Sequence, residues 1–521
     1  MNSISTLLTQ LRQLKLKLAL EGMIVGLISG LVVVFYRLIL EKAEQARQLL
    51  FSSQHSILHT ISWFILLILV ALFVGKLMIK DPMICGSGIP QVEGVLANKL
   101  KMNPLSVLIR KFIGGTLCIG AGLSVGREGP SIQLGAATAQ YLSQLTKLSK
   151  TEEKYLISSG ASAGLAAAFN APLAGVLFSL EEIHKHFSPL VLISAMSASL
   201  TADFVSKNFF GLKPVFNFDT LEAIPLDHYW LIIILGIITG LCGVFYNKTI
   251  KTTLEGYDKI AWIKKQYRPI IPFILAGLLL FILPQVLGGG HSLVESLIHS
   301  SFTIKMLLLL LIVKFIFSMI SFGSGVPGGI FFPLLLLGAL TGSIFGTVAA
   351  SLGLINETLI QNFIILAMAG YFTAIVRAPI TGSILITEMT GSLTHLLSLS
   401  LISLIAYTVA ECLKSEPVYD YLLERQLQGT EPIETSEEKL MIEIPVFTDS
   451  YIDGRFVRDL SLPDGCLLIV IKRGSHEIIL RGNTELLAGD YLVILLKESI
   501  ASSVQEELKL CCNTQKGLTI K

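Results

Sequence analysis

Charge is what this chain of 521 residues has least of: Asp, Glu, Lys and Arg make up only 15% of it, against about 25% in an average soluble domain. Together with 52% hydrophobic residues and a mean hydropathy of +0.69, that scarcity excludes an ordinary soluble protein. The runs at 22–40, 61–79, 229–246 and 306–322 reach about 26–29 Å at about 1.5 Å per residue, within the range of membrane-crossing helices in a hydrocarbon core about 30 Å thick. The pattern predicts an all-α polytopic membrane protein with roughly ten to twelve spans, many interrupted by Gly and Pro. A net charge of only +2 and the lack of a dense basic stripe argue against a nucleic-acid polymer as partner. The seven cysteines have no metal-ligand spacing, so neither a metal nor a cofactor is expected, and adjacent Cys511 and Cys512 read as ordinary thiols of a reducing compartment. A signal-peptide cleavage pattern is also lacking. Arg12, Lys15 and Lys17 precede the first span, which places the N-terminus in the cytoplasm by the positive-inside rule.

Polarity is concentrated near the end. The stretch ERQLQGTEPIETSEEK (424–439) reads as a linker following a membrane domain at 1–423. After this linker (424–438), the segments 440–447, 466–474, 476–482 and 491–497 have strand length and β-branched content, separated by turn signals at Asp464-Gly465 and Ala488-Gly489-Asp490. A small soluble α/β domain over 439–521 is expected, with a short helix at 454–460.

Within the membrane part, NAPLAGVLFSLEE (170–182) returns as RAPITGSILITEM (377–389), and GREGPSIQLGA (126–136) returns as GIFFPLLLLGA (329–339). The offsets, 207 (170 to 377) and 203 (126 to 329), nearly agree, which points to a duplication. Three Gly/Pro breaks stand out: CGSGIPQVEG (85–94), VGREGPSIQLG (125–135) and SGVPGGIFFPLLLLG (324–338). In each, glycines precede a proline that precedes a helix-compatible run, the order expected at a helix N-terminus. One such motif alone is a helix kink or a small-residue packing site. Three of the same design in a duplicated transporter-like chain favour converging helix N-termini, whose free N–H groups and positive dipole ends suit a small anion. The third stretch also fits G-x-G-x-x-G, but Pro327 inside the turn and the apolar flanks exclude a dinucleotide fingerprint.

GSGIP at 86–90, GREGP at 126–130, GGIFFP at 328–333 and the tyrosine of EPVYDY together resemble the CLC family of chloride channels and chloride/proton antiporters. The resemblance covers roughly 20–425 and implies the CLC fold, an inverted repeat with broken helices, in a homodimer with one anion pathway per subunit. It further implies chloride as the transported ion, with Ser87, Gly88, Ile330, Phe331 and Tyr419 at the anion, Ser87 and Tyr419 through their hydroxyls. It makes Glu128 a gating glutamate in the helix-start motif Gly126, Arg127, Gly129 and Pro130, with Arg127 balancing charge at the entrance. An ionisable group in such an apolar stretch costs about 2.5–3.5 kcal/mol on insertion scales, so function is its default reading.

Glu182 aligns with the family's inner proton-transfer glutamate, which favours a chloride/proton antiporter over a passive chloride channel. Read alone, Glu181 and Glu182 are a helix-end pair with His184, Lys185 and His186 as counter-charges. From another class, a transport-inactive membrane receptor is the remaining alternative; no enzyme nucleophile or metal cluster is legible. Lys314 and Glu388 read as buried pairs or snorkelling side chains, with no part in transport. The segment 439–497 resembles the TrkA C-terminal (RCK C-terminal) domain, which implies a cytoplasmic regulatory module in a bacterial cell membrane protein. Related domains take small ligands such as cyclic dinucleotides, an expected partner beside chloride, protons and lipid.

Overall fold

The computed structural model describes residues 2–497, except 53–56, 186, 217–222, 261, 300–301, 429–438, 448–449, 461, 463–464 and 475, together with Val504. The expectations for Cys511, Cys512, His186 and most of the linker therefore lie outside the described residues, as does the end of the C-terminal domain. The chain divides into two compact units, Met1–Leu96 with Met102–Gln428 and Ala97–Lys101 with Gly429–Lys521.

The first unit is helical. Its first half runs α1 (Asn2–Ser52), α2 (Ile57–Lys80), α3 (Ile89–Leu96), α4 (Pro104–Gly120), α5 (Glu128–Leu145), α6 (Lys150–Phe169), α7 (Pro172–Phe178) and α8 (Pro189–Phe210). The second half repeats the series as α9 (Tyr229–Lys259), α10 (Ile270–Ile282), α11 (His291–His299), α12 (Ile304–Gly323), α13 (Phe331–Ser351), α14 (Ile360–Val376), α15 (Pro379–Thr390) and α16 (Leu396–Cys412). A further helix, α17 (Val418–Leu427), closes the unit and runs past the expected boundary at 423.

Local signals set these boundaries. Asn103 accepts from the Ser106 N–H just ahead of Pro104, and Ser149 forms a reciprocal capping box with Glu152. α6 and α14 end at equivalent residues held in the left-handed conformation, Asn170 and Arg377. The four-residue change of offset falls between α5 and α6: α5 and α6 start 22 residues apart (128 to 150), whereas α13 and the 3-10 turn Glu357–Leu359 that leads into α14 start 26 apart (331 to 357).

The halves meet with inverted polarity. Gly126 and Gly329, equivalent positions in the duplication, exchange both backbone hydrogen bonds in an isolated antiparallel bridge, at 2.6 and 2.8 Å. Equivalent residues that donate to each other reciprocally lie on a local two-fold axis. The same axis relates Gly86 N–H to Gly325 carbonyl (3.2 Å) and Gly288 N–H to Gly122 carbonyl (2.8 Å). The inverted repeat expected from the family resemblance is thus present.

Nine helical segments among the described residues are long and apolar enough to cross a membrane, fewer than the ten to twelve expected. The shortfall lies in α4, which has only 17 residues, and in α5 and α6, whose faces carry Ser, Thr, Gln and Gly in place of long apolar side chains. Those small residues pack backbone on backbone: a Cβ on Gly135 would lie 2.1 Å from the Gly160 carbonyl oxygen.

The second unit is a four-stranded antiparallel sheet in the order β1-β4-β2-β3, formed by β1 (Lys439–Pro445), β2 (Cys466–Arg473), β3 (His476–Ile479) and β4 (Asp490–Lys497). All four expected strands are present. The expected helix at 454–460 is instead a single 3-10 turn, Val457–Asp459. Its backbone is used elsewhere: Gly454 N–H donates to Leu486 carbonyl, Val457 N–H to Thr484 carbonyl and Arg458 N–H to Gly482 carbonyl. Ile442, Ile444, Leu468, Ile471, Leu492 and Ile494 form the core of this unit on one face of the sheet. Buried Asp490 anchors Arg473 through two bonds of 2.7 and 2.8 Å and accepts from the Leu487 N–H.

Candidate functional site

Each Gly/Pro motif begins a helix, as expected: α3 with Pro90, α5 with Pro130 and α13 with Pro333 in the first turn. Their loops are bound to one another. Gly86 N–H donates to Gly325 carbonyl (3.2 Å), Gly328 N–H to Gly86 carbonyl (3.0 Å), and the Gly126–Gly329 bridge joins the starts of α5 and α13. Neither Arg127 nor Ile330, the residues preceding α5 and α13, supplies a side-chain cap, so the first N–H groups of both helices stay available to a ligand.

Glycine at two positions makes the approach feasible. Gly88 has φ +100°, and a Cβ there would lie 2.5 Å from Gln133 Oε1. A Cβ on Gly129 would lie 2.4 Å from Ser87 Oγ, so the α3 loop rests directly on the first turn of α5. Ser87 and Tyr419 are buried, their hydroxyls are neighbours, and among the described residues neither makes a hydrogen bond of good geometry. A buried hydroxyl left so costs about 1–3 kcal/mol, and both can donate to an anion. The ring of Phe331 is fixed by Phe372 (4.8 Å between centroids), Phe169 (5.4 Å) and Phe178 (5.8 Å), and Phe178 in turn meets Tyr419 edge-on at 6.4 Å. Ser87, Gly88, Ile330, Phe331 and Tyr419 are thereby brought to one place.

Glu128, the first residue of α5, is 1% exposed. Its carboxylate curls back so that Oε2 lies 2.3 Å from where a Cβ on Gly126 would sit, and its neighbours are the backbone N–H groups of Phe332 and of Glu128 itself. Neither oxygen reaches hydrogen-bond geometry with a group of the described residues. Arg127 approaches at 3.9 Å, too far for a direct bond and close enough to offset charge. Such a carboxylate sits on two helix starts without a covalent or bidentate lock, an arrangement that permits it to leave.

Glu182 lies away from these helix starts, in the π-helical turn Ser179–Ile183 that follows α7. It is 5% exposed, and Oε1 has no hydrogen-bond partner among the described residues. Both Glu182 and Glu128 lie within electrostatic reach of the Tyr419 hydroxyl. The two acids of the helix-end pair separate. Glu181 turns to the start of α15, accepting from the N–H groups of Ile380 (3.3 Å) and Thr381 (2.8 Å), while Glu182 points inward. Of the expected counter-charges, Lys185 lies near Glu182, but it is bonded to Glu93 and Asp420; His184 approaches Ser158 Oγ at 3.5 Å.

The readings of Lys314 and Glu388 need correction. Among the described residues Lys314 pairs with no acid, and it does not snorkel: fully buried, it donates to the carbonyls of Val286 (2.9 Å) and Gly288 (2.7 Å). Its duplicate Lys111 does the same for Ile84 (2.9 Å) and Gly86 (2.7 Å), so each lysine pins the loop ahead of α11 or α3. Glu388 accepts from the N–H groups of Leu173 (3.0 Å) and Ala174 (2.8 Å), capping α7 as Glu181 caps α15. Sequence reasoning missed Lys111, Glu93 and Asp420. The signal was present, since Glu93 and Asp420 stand inside the motifs QVEG and VYDY, and Lys111 precedes Lys314 by 203.

Comparison with known proteins agrees with this geometry. Residues 69–411 match the family model for the voltage gated chloride channel, and 441–509 match that of the TrkA-C domain. The chain is 35% identical over 420 residues to the H(+)/Cl(-) exchange transporter ClcA of Vibrio parahaemolyticus, covering 78% of this chain and 89% of that protein. It is 34% identical over 422 residues to ClcA of Salmonella newport, with 79% and 89% covered. Among solved structures, a slow cyanobacterial Cl-/H+ antiporter matches with a TM-score of 0.75 at 30% identity, covering 79% of this chain and 98% of that one. A eukaryotic CLC transporter matches with a TM-score of 0.68 at 21% identity, covering 85% and 79%, a likeness of fold.

Proposed function

The chain belongs to the voltage-gated chloride channel family, and from that premise we propose that it is a membrane antiporter that exchanges chloride for protons. The observation that carries this reading is that two buried acids on different elements, Glu128 at the start of α5 and Glu182 in the turn after α7, both lie within electrostatic reach of one hydroxyl, Tyr419. Similarity to the ClcA exchangers and to the cyanobacterial antiporter supports it.

On this reading chloride is held by the hydroxyls of Ser87 and Tyr419 and by the N–H groups of Ile330 and Phe331 at the start of α13. Dipoles and hydroxyls hold an anion without a full opposite charge, so it binds and still leaves. Gly88 admits the α3 loop to the site, while Gly126, Gly129 and Pro130 shape the start of α5 so that the ionised Glu128 carboxylate takes an anion's place there. Protonation removes the charge that holds Glu128 over the helix starts, and the side chain swings away to let chloride pass. Arg127 offsets charge at that entrance. Glu182 receives protons from the inner side by a route separate from chloride's, and the two routes join at Glu128. The tight aromatic setting of Phe331 narrows the inner passage, which keeps the anion from bypassing the exchange.

The protein acts as a homodimer in a bacterial plasma membrane, both termini cytoplasmic, a placement supported by the family resemblance and by Arg12, Lys15 and Lys17 ahead of the first span. Three parts carry the work: the membrane domain at 1–423, the linker at 424–438 and a regulatory TrkA-C domain at 439–521 that answers a small ligand such as a cyclic dinucleotide. A ligand there shifts transport only by its difference in affinity between transport states.

The test is proton uptake by liposomes holding the purified protein, driven only by a chloride gradient with the voltage clamped by an ionophore. Protons moving against their own gradient are expected. Chloride flux without proton movement would make the protein a passive channel, and no chloride flux would leave it a receptor.

A further inference from the structure

Three segments far apart in sequence bring their charges to the turn that holds Glu182. Lys185, in the loop just after that turn, has φ +55°, a left-handed conformation that a non-glycine residue adopts only when its surroundings hold it there. That conformation delivers its ammonium to Glu93 of α3 and Asp420 of α17, and it is bonded to both. The pairing is graded in access. The Glu93 side chain is 10% exposed and that of Asp420 is 40% exposed, so the bridge spans from protein interior to solvent.

Glu182 faces this bridge without belonging to it. Its neighbouring charges are Lys185, Glu93, Asp420 and Glu181, and Glu181 is committed to the N–H groups of α15. From α17 the Tyr419 hydroxyl also faces it; from α6 comes Ser158, which accepts at its carbonyl from Ser179 of the same turn and has His184 against its hydroxyl. Among the described residues Lys185 is thus the one lysine or arginine acting on Glu182, set against three carboxylates.

We propose that Lys185, held between Glu93 and Asp420, is a positioning residue that sets how readily Glu182 gains and releases its proton, with Asp420 as the opposing, solvent-side charge. The proposal rests on Glu182 being the inner proton-transfer group. The ammonium stabilises the ionised carboxylate and so favours release; Glu93 and Asp420 partly neutralise it and so restrain that effect. Neither Lys185 nor Asp420 carries the proton in this account. They tune the group that does.

The two charges therefore act with opposite signs, although removing either breaks the same ion pair. Lys185→Met leaves Glu182 beside uncompensated carboxylates, so it keeps its proton to higher pH. Asp420→Asn takes away a negative charge and leaves Lys185 freer to act on Glu182, which then stays ionised to lower pH. An opposite charge within about 4–6 Å shifts a carboxylate by about one pH unit or more.

The experiment is chloride-driven proton flux against internal pH in liposomes, for the full-length wild-type chain and for Lys185→Met, Asp420→Asn and Lys185→Arg, with chloride flux read in the same vesicles. The expected result is an alkaline shift of about one pH unit for Lys185→Met, an acid shift for Asp420→Asn, and a near wild-type profile for Lys185→Arg. Shifts in the same direction for the first two, or no shift in either, overturn the proposal, because a bridge with only a structural role affects both alike. Should Lys185→Met fail to reconstitute, Asp420→Asn decides alone: an acid shift supports the proposal and any other result rejects it. A wild-type protein that moves no protons against chloride would defeat the exchange reading itself, a distinct failure.

Discussion

Glu128 and Phe331 occupy equivalent positions in the two halves of the membrane unit, each two residues after a glycine of the central bridge (126 to 128, 329 to 331). One is a carboxylate curled over its own helix start, the other an aromatic ring locked among Phe169, Phe178 and Phe372. The same division runs through both halves. Lys111 and Lys314 pin equivalent loops, and Glu181 and Glu388 cap each other's repeat. Yet Ser87, which follows Gly86, faces Gly289, which follows the equivalent Gly288, and Glu182 faces Met389. The lesson is that duplication preserved the groups that satisfy backbone donors and acceptors, while the groups proposed to do transport chemistry stand in one copy only. A backbone carbonyl or N–H has to be paired in both halves; a gate is required once.

The sharpest way to break that comparison is to neutralise the unduplicated acids. Glu128→Gln is expected to abolish chloride-driven proton movement while leaving chloride movement, and Glu182→Gln to abolish proton movement with chloride flux retained. Both are read as paired chloride and proton fluxes from liposomes, and retained proton pumping in either variant contradicts the assignment. A smaller effect separates the bridge glycines. A methyl on Gly126 meets Glu128 Oε2 at 2.3 Å, whereas on Gly329 its nearest atom is the Gly129 nitrogen at 3.2 Å. Gly126→Ala is therefore expected to displace the carboxylate and raise the chloride-to-proton flux ratio severalfold, with Gly329→Ala much closer to wild type. Equal ratios in the two would mean that the carboxylate is not held where Gly126 admits it.

The weakest expected effects fall on the duplicated groups and are structural. Removing a helix-start acceptor costs about 0.5–2 kcal/mol. Glu181→Ala loses the N–H groups of Ile380 and Thr381 and the Thr381 hydroxyl, whereas Glu388→Ala loses the N–H groups of Leu173 and Ala174. Both variants are expected to unfold at lower temperature in detergent, Glu181→Ala slightly lower than Glu388→Ala, with exchange coupling kept in the folded fraction. Loss of coupling in Glu388→Ala at full stability would show that this residue does more than cap.

Much of this was legible in the sequence because the repeat and the Gly/Pro helix starts are local signals. Offsets of 207 and 203 announce two halves, and glycine before proline marks where α3, α5 and α13 begin. The family resemblance named Glu128 and Glu182, but no spacing revealed that 181 and 182 part company, because that depends on the π-helical turn changing the side-chain phase. Lys314 and Glu388 were misread for a related reason: their partners are backbone groups 26 to 215 residues away, and pairing of that kind leaves no trace in composition. The 3-10 turn at Val457–Asp459 escaped because its flanking backbone pairs across to 482–486, a tertiary choice that overrides local helical pattern.

The most direct test of the central claim is where an anion binds. Crystals of the protein grown in bromide, measured at the bromine absorption edge, are expected to give an anomalous peak within hydrogen-bond reach of Ser87 Oγ, the Tyr419 hydroxyl and the N–H groups of Ile330 and Phe331. In Glu128→Gln a second peak is expected by the N–H of Phe332. Bromide bound elsewhere, with none between those two hydroxyls and the start of α13, would contradict the account.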